Sequence, residues 1–594
     1  MASGDNLLVA AIDFGTTFSG YAFSFRHEYD LNRLNIYANT SWIAGGAGLV
    51  SWKTPTTLLL NPDKSFNSFG YQAEEEYIGL LDNNEEDKDR YYYFKRFKML
   101  LHEKEKLDRN VTIADIGGKK MPALDVFYLS IGYLKDNLMH TLKNRNVGIH
   151  EDEIRFVLTI PAIWNEPAKQ FMREAAIKAG ILSKNLVLAL EPEAASLYCK
   201  TIPVDRMDTG NPEETSIIPF QEGMSYMVLD LGGGTVDVTV HQVTGEDTLR
   251  EIYRASGGAW GGTKVDEAFQ NLLKNVINED CFKTFCQENR PDLLDLEREF
   301  ELRKRTVVDS AAKPVVLKVP VALPSTYEDL TGKSRDDAIK ESVHDGKIKF
   351  KRDKMHIDAD LFCKCFSECT ESIKTHVKTI LQKPEIEGHL DAIIMVGGFS
   401  ESGIIVKSVR DAFPDMRVIV PQDAGLAVVK GAVLYGHCPT AISSRLCKLS
   451  YGVAVRAVFK PDIHPENQKS EVDGKFYCNN VFGKFVAAGD EAKIGEPVKR
   501  HFGITSPNAP VILDIYASSK KNPVMVTEEG CFNIGSITVR SPESGWNADS
   551  QIEVDMDFGG TEFTVSARDL NDRTTSFSAT FDFLERMRGE EPSE

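Results

Sequence analysis

The chain has 594 residues, with 69 basic and 88 acidic side chains and a formal net charge of −19. That length predicts several domains, and an apolar fraction of 42% with 26% charged residues excludes a collagenous or low-complexity chain. The acidic balance argues against broad binding to a nucleic-acid backbone, and ten cysteines are too few for a disulfide scaffold.

The first predicted element is an apolar strand, LLVAAIDFG, followed by a Gly/Thr turn and a second strand ending near residue 25. RFVLTIP (155–161) reads as a buried strand. A helix follows, opened by the capping Asn165 with Pro167 in its first turn. Phe171, Met172, Ala175, Ala176 and Ala179 recur at helical spacing, and Gly180 suits the C′ position. VLALEP (187–192) is another strand leading into a helix. Residues 201–223 are polar and rich in Pro and Gly, as a surface insertion would be. A second strand–turn–strand unit, MSYMVLDLGGGTVDVTVHQV, occupies 224–243, and residues 265–310 look helical. Residues 325–355 are charged and irregular and read as a second insertion. DAIIMV (391–396) runs into Gly397-Gly398 and a helix near 402–413. Strands alternating with helices to about residue 437 predict an α/β architecture.

After a connecting stretch, 438–452, helical periodicity disappears. QIEVDMDF alternates at Ile552, Val554, Met556 and Phe558, and EFTVSA alternates after Gly559-Gly560, which predicts a hairpin. SFSATFDF alternates at Phe577, Ala579, Phe581 and Phe583. Residues 453–585 therefore read as a smaller all-β domain, with a short acidic tail at 586–594 expected to be disordered. No run of about 18 apolar residues predicts a membrane-spanning helix. The N-terminus has neither the basic start nor the apolar length of a signal peptide. The expected compartment is the cytoplasm, or the nucleus, with no membrane partner. Cys363, Cys365 and Cys369 suggest a metal by composition, but they lie in a helical-looking stretch where offsets of two point to different faces.

The repeat carries the chemistry. Asp13 and Asp230 end matching strands 217 residues apart, and each precedes a Gly/Thr turn. Two related lobes with a site between them are expected. Phosphate binding needs small residues that let backbone N–H groups approach. Gly15, Thr16 and Thr17 supply this in the first loop, and Gly232, Gly233, Gly234 and Thr235 in the second. Hard carboxylates suit Mg²⁺, which keeps several waters; Asp13, Asp230 and Asp237 are placed to orient them. Gly397 and Gly398 after a third strand complete the expectation of a nucleotide site.

These motifs resemble the seventy-kilodalton heat-shock (DnaK-type) chaperone family over about residues 7–437. The resemblance is carried by IDFGTTFSG, TIPAIWNEPAKQ, LALEPEAAS, LDLGGGTVDV, GGAWGGTKVDEAF, ELRKRT and IIMVGGFSES. Within that family the chain looks most like the divergent twelve-type (12A/12B-like) members. The resemblance implies an actin-like, ribonuclease-H-like ATPase domain and ATP or ADP with Mg²⁺, the metal held near Asp13 and Asp230 through water. It implies Lys95, in YYYFKRFK, as the catalytic lysine and Glu191 as the residue that positions water or metal. Asp230, Thr235 and Asp237 match the second phosphate loop, and Gly261 and Gly262 fall in GGAWGGTK. Glu301, Lys304 and Arg305 match the adenosine-contacting helix, and Gly397, Gly398 and Ser400 the adenosine loop.

Five departures stand out. Glu401 replaces an arginine that stacks on adenine in the family. Leu190 and Glu193 replace the usual Asn and Thr around Glu-Pro, and Thr263-Lys264 replaces an acidic pair. The leucine-rich interdomain linker is not recognisable, and no helical lid is expected after the last strand. The resemblance implies slow ATP hydrolysis reporting to a β domain that takes a client peptide or protein partner, with co-chaperones as possible partners. A nucleotide-sensing scaffold with little turnover is the alternative. A sugar or polyol kinase on the same fold lacks an acceptor motif.

Overall fold

The computed structural model describes residues 6–584, apart from 40–41, 45–48, 84–89, 105–106, 146, 211–219, 308–312, 473, 505–507, 542–544, 547–550, 571–575 and 578. The expected tail and residues 211–219 of the 201–223 insertion lie outside the described residues.

The two repeats each build the centre of a sheet. In the first lobe, Leu8–Phe14 pairs antiparallel with Phe18–Phe25 and parallel with Ile154–Ile160. Leu186–Leu190 adds a further parallel strand. In the second lobe, Ser225–Leu231 pairs antiparallel with Val236–Val243 and parallel with Ala392–Val396. Arg417–Pro421 extends the parallel side. Every residue of Leu8–Phe14 and of Ser225–Leu231 is buried, as expected for strands covered on both faces.

Two helices cross between the sheets, Glu191–Thr201 and Ala427–His437. They touch closely because Gly431 has no side chain; a Cβ there would sit 1.7 Å from the Ala194 carbonyl oxygen. Asn165 caps Glu166–Lys178 by accepting from the Ala168 N–H. That helix buries Phe171, Met172, Ala175 and Ala176, and Gly180 follows with φ +89°. The stretch 325–355, expected to be irregular, instead contributes to helices Ala322–Thr331 and Arg335–Glu341 and to the hairpin Ile348–Lys351 with Lys354–Ile357. Leu323, Ile339, Ile348 and Met355 drop into the second-lobe core, so burial organises a segment whose charge is on its outer face.

The C-terminal region is a β-sandwich. One sheet contains Ser450–Val458, Lys475–Val486, Val511–Ser518 and Cys531–Val539; the other contains Val498–Gly503, Gln551–Asp557 and Thr564–Asp569. Ile552, Val554, Met556 and Phe558 point into the shared core, as their alternation predicts. Strands Ser576–Phe577 and Ala579–Asp582 also form.

The connecting stretch 438–452 is not a free tether. Ile442–Leu446 joins the second-lobe sheet beside Leu249–Gly258, and Glu491–Lys493 of the sandwich adds to its other edge. Arg445 forms two 2.7 Å bonds to the Glu193 carboxylate and also donates to the Gly559 carbonyl. Lys448 donates to the Ala162 carbonyl, and Lys169 donates to the Thr561 carbonyl at 2.9 Å. No helix among the described residues is long and apolar enough to cross a membrane.

Candidate functional site

The two Gly/Thr turns face each other across a cleft of about 230 Å³. Gly15, Thr16 and Thr17 line one wall, and Gly232, Gly233, Gly234 and Thr235 the other. The glycines are required by closeness: a Cβ on Gly233 would lie 2.2 Å from Thr17 Oγ1, and one on Gly234 2.4 Å from Met99 Sδ. Gly262 begins the helix Gly262–Ile277 and also lines the cleft, so a helix N-terminus faces it. Gly261 lies behind, where its N–H bonds the Gly234 carbonyl at 3.2 Å and braces the loop.

The strand ends bring four carboxylates together. Asp13 accepts from Lys53 at 2.6 Å and from the Thr159 hydroxyl at 2.9 Å. Burial works against its charge, but Lys53 holds its pKa below the ordinary aspartate value. Glu191, the first residue of its helix, accepts from Lys98 at 2.7 Å. Burial pushes its pKa up to about 7, with Lys98 opposing and Asp13 adding to the rise. Asp230 is pushed well above the ordinary value by burial and then by Glu191, Asp237 and Asp13. Asp237 does not line the cleft. It stands opposite Asp230 in the hairpin, is raised by burial, and accepts the Ile163 N–H at 2.9 Å.

Fully ionised, the three carboxylates on the cleft wall, Asp13, Glu191 and Asp230, against the ammonium groups of Lys53 and Lys98 leave a formal charge of −1 (2 − 3). A dication with hard oxygen ligands would offset that charge. Asp13 and Asp230, both on the cleft wall, would hold it. Among the described residues there is no ready-made cluster of three or more metal-ligating side chains. Of the three cysteines in the stretch 363–369, Cys365 and Cys369 are packed in the core.

The other end of the cleft is built by the helix Arg290–Thr306 and the turn after Ala392–Val396. Lys304 bonds Asp266 at 2.7 Å and Glu301 at 2.5 Å. Arg305 bonds Glu301 at 2.7 Å, lies over the Phe18 ring and comes within 3.8 Å of Glu401. Gly397 and Gly398 line this end. Ser400 does not; its hydroxyl turns back onto the Val396 carbonyl and closes the strand end.

Lys95 is the principal difference from the sequence reading. It ends the strand Tyr92–Lys95 and pairs with Glu297 at 2.8 Å, outside the cleft. Arg96 adopts φ 57°, the chain turns into Phe97–Met99, and Lys98 swings inward beneath Trp164. The signal was present as a second lysine three positions on, but the motif alone did not reveal the reversal between them. Lys53 was also missed. It sits in a loop with no local mark, and reaches Asp13 because Thr54–Pro55 pairs with Phe18–Ser19.

Comparison with known proteins agrees with this architecture. The family model described as Hsp70 protein matches residues 134–468. Heat shock 70 kDa protein 12A of Mus musculus is 34% identical over 97% of this chain and 92% of its own length. Heat shock 70 kDa protein 12B of Homo sapiens is 33% identical over 97% and 91%. Chaperone protein DnaK of Endomicrobium trichonymphae is 27% identical over 52% of this chain and 44% of its own. The similarity to the twelve-type proteins over nearly the whole chain places it as a member of the 70-kDa heat-shock protein family, in its divergent 12A/12B-like branch.

Proposed function

We propose that the chain binds ATP with Mg²⁺ between its lobes and hydrolyses it slowly. The observation that carries this reading is the convergence of both Gly/Thr loops with Asp13, Asp230, Glu191 and Lys98 in one cleft. Loop N–H groups and the helix at Gly262 stabilise phosphate charge. Lys98 supports the charge that develops on the transferred phosphoryl group, and takes the role the sequence reading gave to Lys95. Glu191, raised to about 7, is suited to orient a water and accept its proton. Mg²⁺, when bound, supplies neutralisation of the phosphate oxygens. Thr235 lines the same wall, while Asp237 positions the loop. Glu301, Lys304 and Arg305 hold the nucleoside end.

The β-sandwich binds an extended apolar peptide or a partner protein. Support comes from the open edge strand Lys469–Val472 and from Val458, Phe476, Ile512 and Phe532, each about half exposed or more. One observation favours the second reading, a nucleotide-sensing scaffold: Glu193, two residues from Glu191, is locked in a buried ion pair with Arg445 at the domain junction.

The test is a single-turnover assay with trace labelled ATP, excess protein and Mg²⁺. Release of ADP and phosphate, lost in Asp230→Asn and Lys98→Ala, supports hydrolysis. ATP retained intact supports the scaffold. Failure to bind ATP defeats both.

A further inference from the structure

A second cavity, of about 470 Å³, lies between the first lobe's strands and the second lobe's helices. It shares a wall with the nucleotide cleft, formed by Thr16, Thr17, Phe18, Glu301 and Arg305. Its volume falls in the range of small-molecule sites. Phe269, Leu273, Phe282, Leu293, Leu296 and Phe300 make its helical side. Phe269 and Phe300 stack there at 4.0 Å with their planes 4° apart, giving a flat aromatic wall.

The charged lining decides what such a site accepts. Eight charged residues line it, and they form four pairs. Lys95 meets Glu297 at 2.8 Å, Arg96 meets Asp266 at 2.7 Å, Arg298 meets Glu74 at 2.8 Å and Arg305 meets Glu301 at 2.7 Å. The eight lining charges sum to zero, and Lys304, outside the cavity, also bonds Asp266 and Glu301, so each lining charge is already engaged. A charged ligand would lose its hydration without a free counter-charge to replace it. An uncharged one leaves every pair intact and covers apolar surface that water otherwise touches. Lys95 therefore belongs to the rim of this cavity rather than to the phosphates.

We propose that this cavity binds a small, uncharged, predominantly apolar molecule, which bridges the two lobes and slows nucleotide release from the adjoining cleft. The binding stands independently of the proposed ATP reading; only the effect on release rests on it.

The probe is prodan, an uncharged naphthalene dye whose emission shifts to the blue in apolar surroundings, titrated into the full chain without nucleotide. The expected result is saturable, blue-shifted binding at one dye per chain. Gln270→Trp and Leu293→Trp fill the cavity from two different helices at half-buried positions. Each is expected to weaken prodan binding at least ~tenfold with little change in melting temperature. Absence of saturable binding, or binding that survives in both folded variants, overturns the site. In the second arm, dissociation of a fluorescent ATP analogue is expected to slow severalfold when prodan is present. An unchanged rate in a chain that binds both overturns the bridging role. Failure of the analogue to bind at all counts against the ATP reading and leaves the first arm as measured.

Discussion

Asp13 and Asp230 hold the same place in two copies of one hairpin, yet their surroundings differ. Asp13 faces Gly20 across its hairpin and is neutralised by Lys53, with Thr159 as a second donor. Asp230 faces another carboxylate, Asp237, and forms no ion pair among the described residues. The first aspartate is therefore held charged, and the second is held toward its protonated form. One lobe contributes a settled anion, while the other keeps a frustrated one that a dication would relieve.

Four experiments test this contrast. The largest expected effect is on turnover: Asp230→Asn should lower single-turnover hydrolysis by roughly 10²–10³-fold, while raising the melting temperature of the nucleotide-free protein by removing repulsion. A variant that loses both activity and stability would contradict the assignment. Next, Lys98→Ala should cost about a hundredfold in the same assay, against a change of about twofold for Lys95→Ala. Equal losses would return Lys95 to the chemistry.

Third, Asp13→Asn should destabilise the fold, opposite in sign to Asp230→Asn, because Lys53 loses its partner. Breaking such a largely buried pair costs about 1–3 kcal/mol, readable by urea denaturation. The smallest effect is the pH response of Glu191. Below its ordinary value of 4.5 the carboxyl is protonated in folded and unfolded chains alike. Between there and about 7, only the unfolded chain has lost that proton, so this group's contribution to stability falls as pH rises through the window. Glu191→Gln should flatten the decline in melting temperature between pH 5 and 7.5. An identical slope in both proteins would place the titration elsewhere.

Much of this architecture is legible in the amino-acid sequence. The hydrophobic run ending in Asp, then Gly and Thr, is a local pattern, and both strand–turn–strand hairpins form as that pattern predicts. Gly397 and Gly398 follow for the same reason. The sandwich hairpin was readable because Ile552, Val554 and Met556 alternate with a period that only a half-buried strand satisfies. Lys95 misled because a motif gives order along the chain but not the left-handed turn at Arg96. Ser400 misled because its hydroxyl finds a backbone carbonyl four residues back before it can reach the cleft. The stretch 325–355 looked irregular because its elements are short and its apolar residues few, so each gains its stability from packing rather than from local propensity.

Local sequence pattern dictates the strands that end at the site, the glycines that let two backbones approach and the change from α/β to all-β near residue 440. These follow from periodicity and steric size, properties of neighbours along the chain. Which lysine meets Glu191, which carboxylate Lys53 neutralises and where Arg445 anchors the sandwich were decided only by the tertiary structure. Each joins residues 40 to 252 positions apart, and the balance of burial against charge that sets their behaviour exists only once the lobes have closed around them.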